Sequence, residues 1–267
     1  MSLKLTRKNY YTLKNNYLSQ SKINDWLKDK QYFYRRHISG EIEKTETPAL
    51  RIGKAADSYV FDGPAKFAKK YAMVACRSKE PAKGIIELPT AEYEQVIAMG
   101  QKIYAQDAMK EVRKWFKTQI ILQSDMDLGI FAGICGIPDA IYVDEAKKTA
   151  IIMDLKTAKT IDPVKYHWHC LTYNYYRQMA VYNLLVKANY NVEKITSQHL
   201  VLEKDGDGVY NCQTFILNPD RIQQEIGNVF NILEAIKNET KYLPNNTRWQ
   251  DAIEIGGQKD KDEEVEI

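Results

Sequence analysis

Cysteine is scarce in this chain: the four residues, Cys76, Cys135, Cys170 and Cys212, are separated by dozens of positions and form no C-x-x-C pair. That spacing argues against zinc or an iron–sulfur cluster held by thiolates and leaves reduced core residues as the expectation. Long apolar runs are lacking as well. No segment approaches the ~20 apolar residues of a membrane span, and the polar, basic start has no apolar signal-peptide core. A cytoplasmic protein with no membrane attachment is expected. Histidine is rare too, at four residues. Two of them sit in His167-Trp168-His169, but helical residues two apart face different ways, whereas helical metal pairs use i, i+3 or i, i+4 spacing. No zinc site is expected there.

What is present suffices for a packed core. With 267 residues, 44% of them hydrophobic and 11% aromatic, one compact domain with decorations is expected over residues 1–255. Residues 256–267 carry two basic and five acidic side chains and read as an acidic, disordered tail. The whole chain is at +3, so the part before that tail is at +6. Residues 1–40 concentrate the positive charge, with nine Lys and Arg against two Asp and seven interleaved aromatics. That mixture suits a phosphate backbone and stacked bases, and it equally suits a solvated helix face whose aromatics are buried.

Residues 1–111 read as mostly helical. The stretch from Tyr17 opens with capping serines and sets Ile23, Trp26 and Leu27 at i, i+3, i+4, a basic amphipathic helix. A second helix is expected from about Ala49 to Gly63-Pro64, and a third from Thr90 as N-cap through Val112. Residues 112–217 then turn to strands, near 115–122, 129–143 and 149–156, read as an antiparallel meander. One long helix is expected over 166–188, followed by two strands joined by Asp205-Gly206-Asp207-Gly208, a hairpin signal. Residues 218–255 hold a last helix that opens with Pro219. The fold class is α/β (α+β), a central mixed sheet flanked by helices.

The chemistry concentrates where a buried strand breaks its own pattern. Ala150-Ile151-Ile152-Met153 is apolar throughout, as in a strand covered on both faces, and then Asp154-Leu155-Lys156 follows. Residues two apart in a strand share a face, about 7 Å apart at Cα, so the acid and the amine can meet. The three-residue pattern alone is weak, because Glu145-Ala146-Lys147 and Glu239-Thr240-Lys241 repeat it in polar surroundings. Its context is more telling. The preceding strand starts at Asp139, and a hairpin through Val143-Asp144-Glu145-Ala146-Lys147-Lys148 lets Asp139 and Asp154 approach. Two carboxylates at one spot repel, and a hard divalent cation removes that repulsion. A lysine beside them can position or deprotonate a water.

Pro138-Asp139, fifteen-odd residues on, then Asp154-Leu155-Lys156 resembles the signature of the PD-(D/E)xK nuclease superfamily. Gln178 to Tyr182 resembles the Q-x-x-x-Y motif of its RecB/RecE-like branch, Gly53 to Asp57 the G-x-A-x-H motif, and the serines near residue 20 the branch's N-terminal helix. The similarity runs in order from about residue 17 to 190 and is nearest to phage and prophage RecE-type exonucleases. It implies a restriction-endonuclease-like core in which Asp139, Asp154 and the Leu155 carbonyl bind Mg²⁺ or Mn²⁺ and Lys156 acts on the hydrolytic water. It also implies that Gln178 and Tyr182 line the site. Asp57 stands where the branch usually has a histidine ligand and can ligate through oxygen, while no upstream Glu is evident among Gln119, Gln123, Asp125 and Asp127. Thr157 beside the lysine, and Lys22, Arg35 and Arg36 in the basic N-terminal helix, are the candidates for DNA contact.

The resemblance implies a metal-dependent exonuclease at the ends of linear duplex DNA, prophage-encoded, with a single-strand annealing recombinase as partner and a ring-shaped homo-oligomer. Two alternatives stay open: an endonuclease of the same superfamily on branched or specific DNA, and a catalytically weakened DNA-binding or adaptor protein.

Overall fold

The computed structural model describes residues 4–6, 9–10, 16–43, 45–74, 84–204 and 210–239. The tail expected to be disordered and the turn at 205–209 lie outside the described residues. Ser19 caps α1 (Gln20–Lys28) by accepting from the Lys22 amide. Extended Asp29 ends that helix, and its carboxylate caps α2 (Lys30–His37) by accepting from the Gln31 and Tyr32 amides. The single basic helix expected here is therefore two, because an aspartate in mid-sequence competes as an N-cap.

Thr47 caps α3 (Pro48–Asp57), which continues into a π-helical turn, Ser58–Asp62, and then α4 (Pro64–Lys70). The helix expected from Thr90 is also divided, into α5 (Thr90–Tyr104) and α6 (Asp107–Trp115), and Thr90 is its first helical residue with Pro89 at the cap position.

Among the described residues, five strands form the central sheet: β4 (Lys117–Thr118), β7 (Ala140–Asp144), β8 (Thr149–Ala158), β9 (Lys194–Glu203) and β10 (Cys212–Ile216), in the order β10-β9-β8-β7-β4. The sheet is mixed, since β8 and β9 are parallel and the other pairs antiparallel. The expected meander is split. β5 (Leu122–Leu128) and β6 (Phe131–Gly136) pair with each other and with β1 (Tyr17–Leu18) in a separate sheet. Pro138, with no N–H to donate, stands in the three residues between β6 and β7, where the chain leaves one sheet for the other. A short parallel pair, β2 (Tyr71–Met73) and β3 (Ile86–Leu88), lies beside the N-terminal helices.

The crossover from β8 to β9 carries α7 (Pro163–Thr172) and α8 (Tyr175–Asn189), and α9 (Pro219–Lys237) packs on α8. The long helix expected over 166–188 is broken at Tyr173-Asn174, where Asn174 is left-handed with φ 56°. Alternation along the central strands sorts the core. Ile141, Ile152 and Val201 face α8 and α9, while Ala140, Met153, Leu155 and Leu200 join a second cluster with Ala55, Val60 and Met99. Among the described residues no helix is long and apolar enough to cross a membrane.

Candidate active site

The hairpin β7–β8 pairs Ala140 with Met153, so one step further along the same register Asp139 stands opposite Asp154. Both continue the alternating set that contains Ile141, Ile152 and Lys156, which puts the two acids and the amine on the α8 face of the sheet. β8 outruns its neighbour here. Beyond Met153 the β7 edge has no strand beside it, and the Leu155 amide donates to Asp139 Oδ2 at 2.7 Å instead. An extended residue sends its N–H and C=O out along the same edge, so the Leu155 carbonyl leaves toward Asp139 as well.

α8 closes the site from above, and the i, i+4 spacing of Gln178 and Tyr182 aims both at β8. Lys156 Nζ donates to Asp154 Oδ2 and, at 2.9 Å, to Gln178 Oε1. Gln178 Nε2 donates to Asp154 Oδ1 at 3.3 Å and to the Tyr182 hydroxyl at 3.2 Å, and that hydroxyl donates to the Ile137 carbonyl at 3.1 Å. Gly136 makes room for this chain, because a Cβ there would lie 2.9 Å from the Tyr182 ring and 3.0 Å from Leu185.

Asp57 arrives from the end of α3, immediately before the π-helical turn, a distortion that often marks functional sites. Gln119 Nε2 donates to both of its oxygens, at 3.0 and 2.8 Å, and the Gln119 amide donates to the Asp139 carbonyl at 3.0 Å. Gln119 holds φ at 52°, a left-handed conformation unusual for a residue with a side chain. The glutamine considered above only as a poor substitute for an upstream acid thus ties Asp57 to Asp139. Gln123 and Asp125 point elsewhere, to the Tyr17 hydroxyl, and Asp127 pairs with Lys237.

Burial, then the Asp154 charge, then Asp62, push Asp57 up to about 7. Asp139 is held well above the usual carboxylate range by burial and by Asp154 and Asp57. Burial alone would lower Lys156, but the carboxylates of Asp154 and Asp139 outweigh it and keep the ammonium above its ordinary value. The three acids therefore feel one another's charge. Even so, among the described residues no group of three or more His, Cys, Asp or Glu side chains closes into a metal-holding cluster, since each acid is turned to a nearby protein donor. A metal held here would meet carboxylates and a strand carbonyl, hard oxygens of the kind Mg²⁺ and Mn²⁺ prefer.

These groups line a cleft of about 380 Å³ that also includes Thr157 and Tyr175. Tyr175 is a residue the sequence reading missed; Lys156 Nζ lies 4.6 Å from its ring centroid. Its place one helical turn before Gln178 was the available signal. His199, also missed, is the register partner of Asp154 on parallel β9, a pairing invisible without the crossover. It is fully buried, with Nδ1 at 2.9 Å from the Tyr166 hydroxyl and burial holding it well below its ordinary value. The other sequence candidates sit apart from the acids. Lys22 is buried and donates to the Tyr17 carbonyl, Arg36 pairs with Asp25, and Arg35 pairs with Glu41. Lys22 and Arg36 border a neighbouring cavity of about 480 Å³ that shares Gln178 and Tyr182 with the cleft.

Comparison with solved structures finds the same architecture in the crystal structure of a protein from Eubacterium rectale described as "Putative exonuclease". The two share 20% identity with a TM-score of 0.61 over 89% of this chain and 88% of that one, a likeness of fold. No curated protein matches the sequence. A family model does match, over residues 19–244, which spans every candidate residue of the cleft. The chain belongs to that family, the PDDEXK-like domain of unknown function DUF3799.

Proposed function

We propose that the protein is a divalent-metal-dependent deoxyribonuclease that hydrolyses phosphodiester bonds at the ends of linear DNA. The observation that carries this reading is the meeting of Asp139, Asp154 and Lys156 on one face of the sheet at the open edge of β8, with Asp57 close enough to sense their charge. Asp57, Asp139, Asp154 and the Leu155 carbonyl are the groups that would hold Mg²⁺ or Mn²⁺. Bound there, the cation supplies positive charge to the scissile phosphate and acidity to the attacking water.

The chain's own residues supply the rest. Lys156, kept as an ammonium by its two acids, acts as a donor that orients the attacking water and the phosphate oxygen. Gln178 fixes the ammonium through Oε1, and Tyr182 fixes Gln178 by tying it to the Ile137 carbonyl. Thr157 offers a hydroxyl to a phosphate at the cleft wall. The exonuclease named in the structural neighbour is in keeping with an end-directed activity.

The test is a screen of divalent metals on end-labelled linear DNA and covalently closed circular DNA. Digestion of linear DNA only, lost in EDTA and in Asp154→Ala and Lys156→Ala, is expected. Cleavage of closed circles at a comparable rate replaces the exonuclease with an endonuclease, and undiminished digestion by both variants removes the assignment altogether.

A further inference from the structure

His167-Trp168-His169 stands out in the sequence and takes no part in the site described above. The structure gives its neighbourhood another character. Around the break between α7 and α8 the aromatic rings form a connected series that begins inside the cleft. Lys156 Nζ lies over Tyr175, Tyr175 stacks on Tyr173 with centroids 5.7 Å apart and planes 27° apart, and Tyr173 meets His169 edge-on at 5.7 Å. Tyr175 is held from below by His199, edge to face at 5.4 Å, so its ring has a fixed orientation. Tyr173 is the outward step, and it is 56% exposed despite being a large aromatic.

An exposed ring stacked on a clamped one presents a flat face of fixed orientation, the surface on which a flat aromatic group stacks. The position defines which one. Tyr173 is one ring beyond Tyr175, over which Lys156 Nζ lies, so a group stacked there stands beside the ammonium proposed to act on the scissile phosphate. The cleft is only about 380 Å³, and Asp154 on its floor is 2% exposed. An unpaired strand can set a base against the Tyr173 ring and carry its phosphate to that floor. The charge around the end of β8 agrees. Lys159 directly follows the end of β8, and Lys204, held below its ordinary value by burial first and by the Lys159 charge second, adds a further basic group there.

We propose that Tyr173, stacked on Tyr175, is a platform for an unpaired nucleobase next to the scissile phosphate, so that the strand enters the cleft as single-stranded DNA. The proposal rests on the nuclease reading and adds to it the form of the substrate at the site. Base stacking on an aromatic side chain is worth about 1–3 kcal/mol by alanine substitution and tolerates any base.

The experiment uses the full chain in EDTA, where no hydrolysis is expected, with a single-stranded oligonucleotide carrying 2-aminopurine at its end. Binding with quenched fluorescence is expected for the unaltered protein and for Tyr173→Phe. For Tyr173→Ala the quenching disappears and affinity falls about tenfold, while Tm falls only by the few degrees that the lost contacts with Tyr175 and His169 account for, leaving the protein folded. Equal quenching and affinity in Tyr173→Ala overturns the platform, and so does an equal fall in Tyr173→Phe, which would assign the effect to the hydroxyl. The metal screen reads the nuclease separately. Cleavage by a protein whose Tyr173→Ala variant binds normally removes the platform alone. Absence of cleavage with quenching that depends on the Tyr173 ring removes the nuclease and keeps a stacking surface on a DNA-binding protein.

Discussion

Lys156 is useful only where it is held, and a single amide does the holding. Gln178 accepts from the ammonium and donates to Asp154, so it sets the distance between ammonium and acid. Gln178→Ala is expected to lower kcat by 10- to 100-fold, roughly 1.4–2.7 kcal/mol of barrier, with little change in KM, read from steady-state digestion of linear DNA. Asp57 governs a different property. Its folded value, about 7, lies above the ordinary 3.8. Below 3.8 the carboxyl is protonated in both states and costs nothing. As pH rises from there to about 7 the unfolded chain releases its proton first, so stability is lost across that window and is flat above it. Melting of the metal-depleted protein should show this as a gain of Asp57→Asn over the unaltered chain that grows from pH 4 to pH 7; a constant difference contradicts the assignment. Mg²⁺ added at a hundredfold excess over its Kd should raise Tm by roughly 5–10 °C at pH 8, and by less at pH 5, where the ligands must first lose protons.

Elements decide which of these residues meet. The long helix expected over 166–188 ends early because Asn174 takes a left-handed conformation, and the break separates Tyr173 from Gln178 and Tyr182 in direction as well as in sequence. Asparagine tolerates that conformation better than a β-branched residue does, and with apolar and aromatic residues on both sides of it the hydrophobic pattern runs on through the break. Gly136 has the complementary part on the sheet side. Gly136→Ala drives a methyl against the Tyr182 ring and is expected to destabilise by about 1–3 kcal/mol in urea unfolding, with activity falling as Tyr182 loses the Ile137 carbonyl. A variant as stable and active as the parent would show that the ring has room to move. The divided meander follows the same logic. The strands expected near 115–122, 129–143 and 149–156 leave out most of β5, whose run Gln123-Ser124-Asp125-Met126-Asp127 is too polar to stand out, and merge β6 with β7; the switch at Ile137-Pro138-Asp139 divides those two and frees the β8 edge for Asp139.

At the scale of the whole molecule, DNA held through lysines beside the cleft should bind less tightly as salt rises. Replacing Lys159 and Lys204 together by Gln is expected to flatten the slope of log K against log salt by between one and two, about 0.7–0.9 for each phosphate left without its lysine, read by fluorescence anisotropy on single strands. An unchanged slope would place the strand elsewhere, along the cavity bordered by Lys22 and Arg36. The sequence by itself determined the combination of helices and strands, the apolar strand that carries Asp154-Leu155-Lys156, and the hairpin that carries Asp139 back to it, because each follows from local periodicity and a short turn. It also marked Gln178 and Tyr182 as one helix face. Only the tertiary structure decided that Gln119 ties Asp57 to Asp139, that His199 is the neighbour of Asp154, and that Tyr173 and Tyr175 run out from Lys156. Those pairings join residues 19 to 62 positions apart, or turn on a single left-handed residue, and pairings of that range are set by how sheets and helices pack rather than by any pattern along the chain.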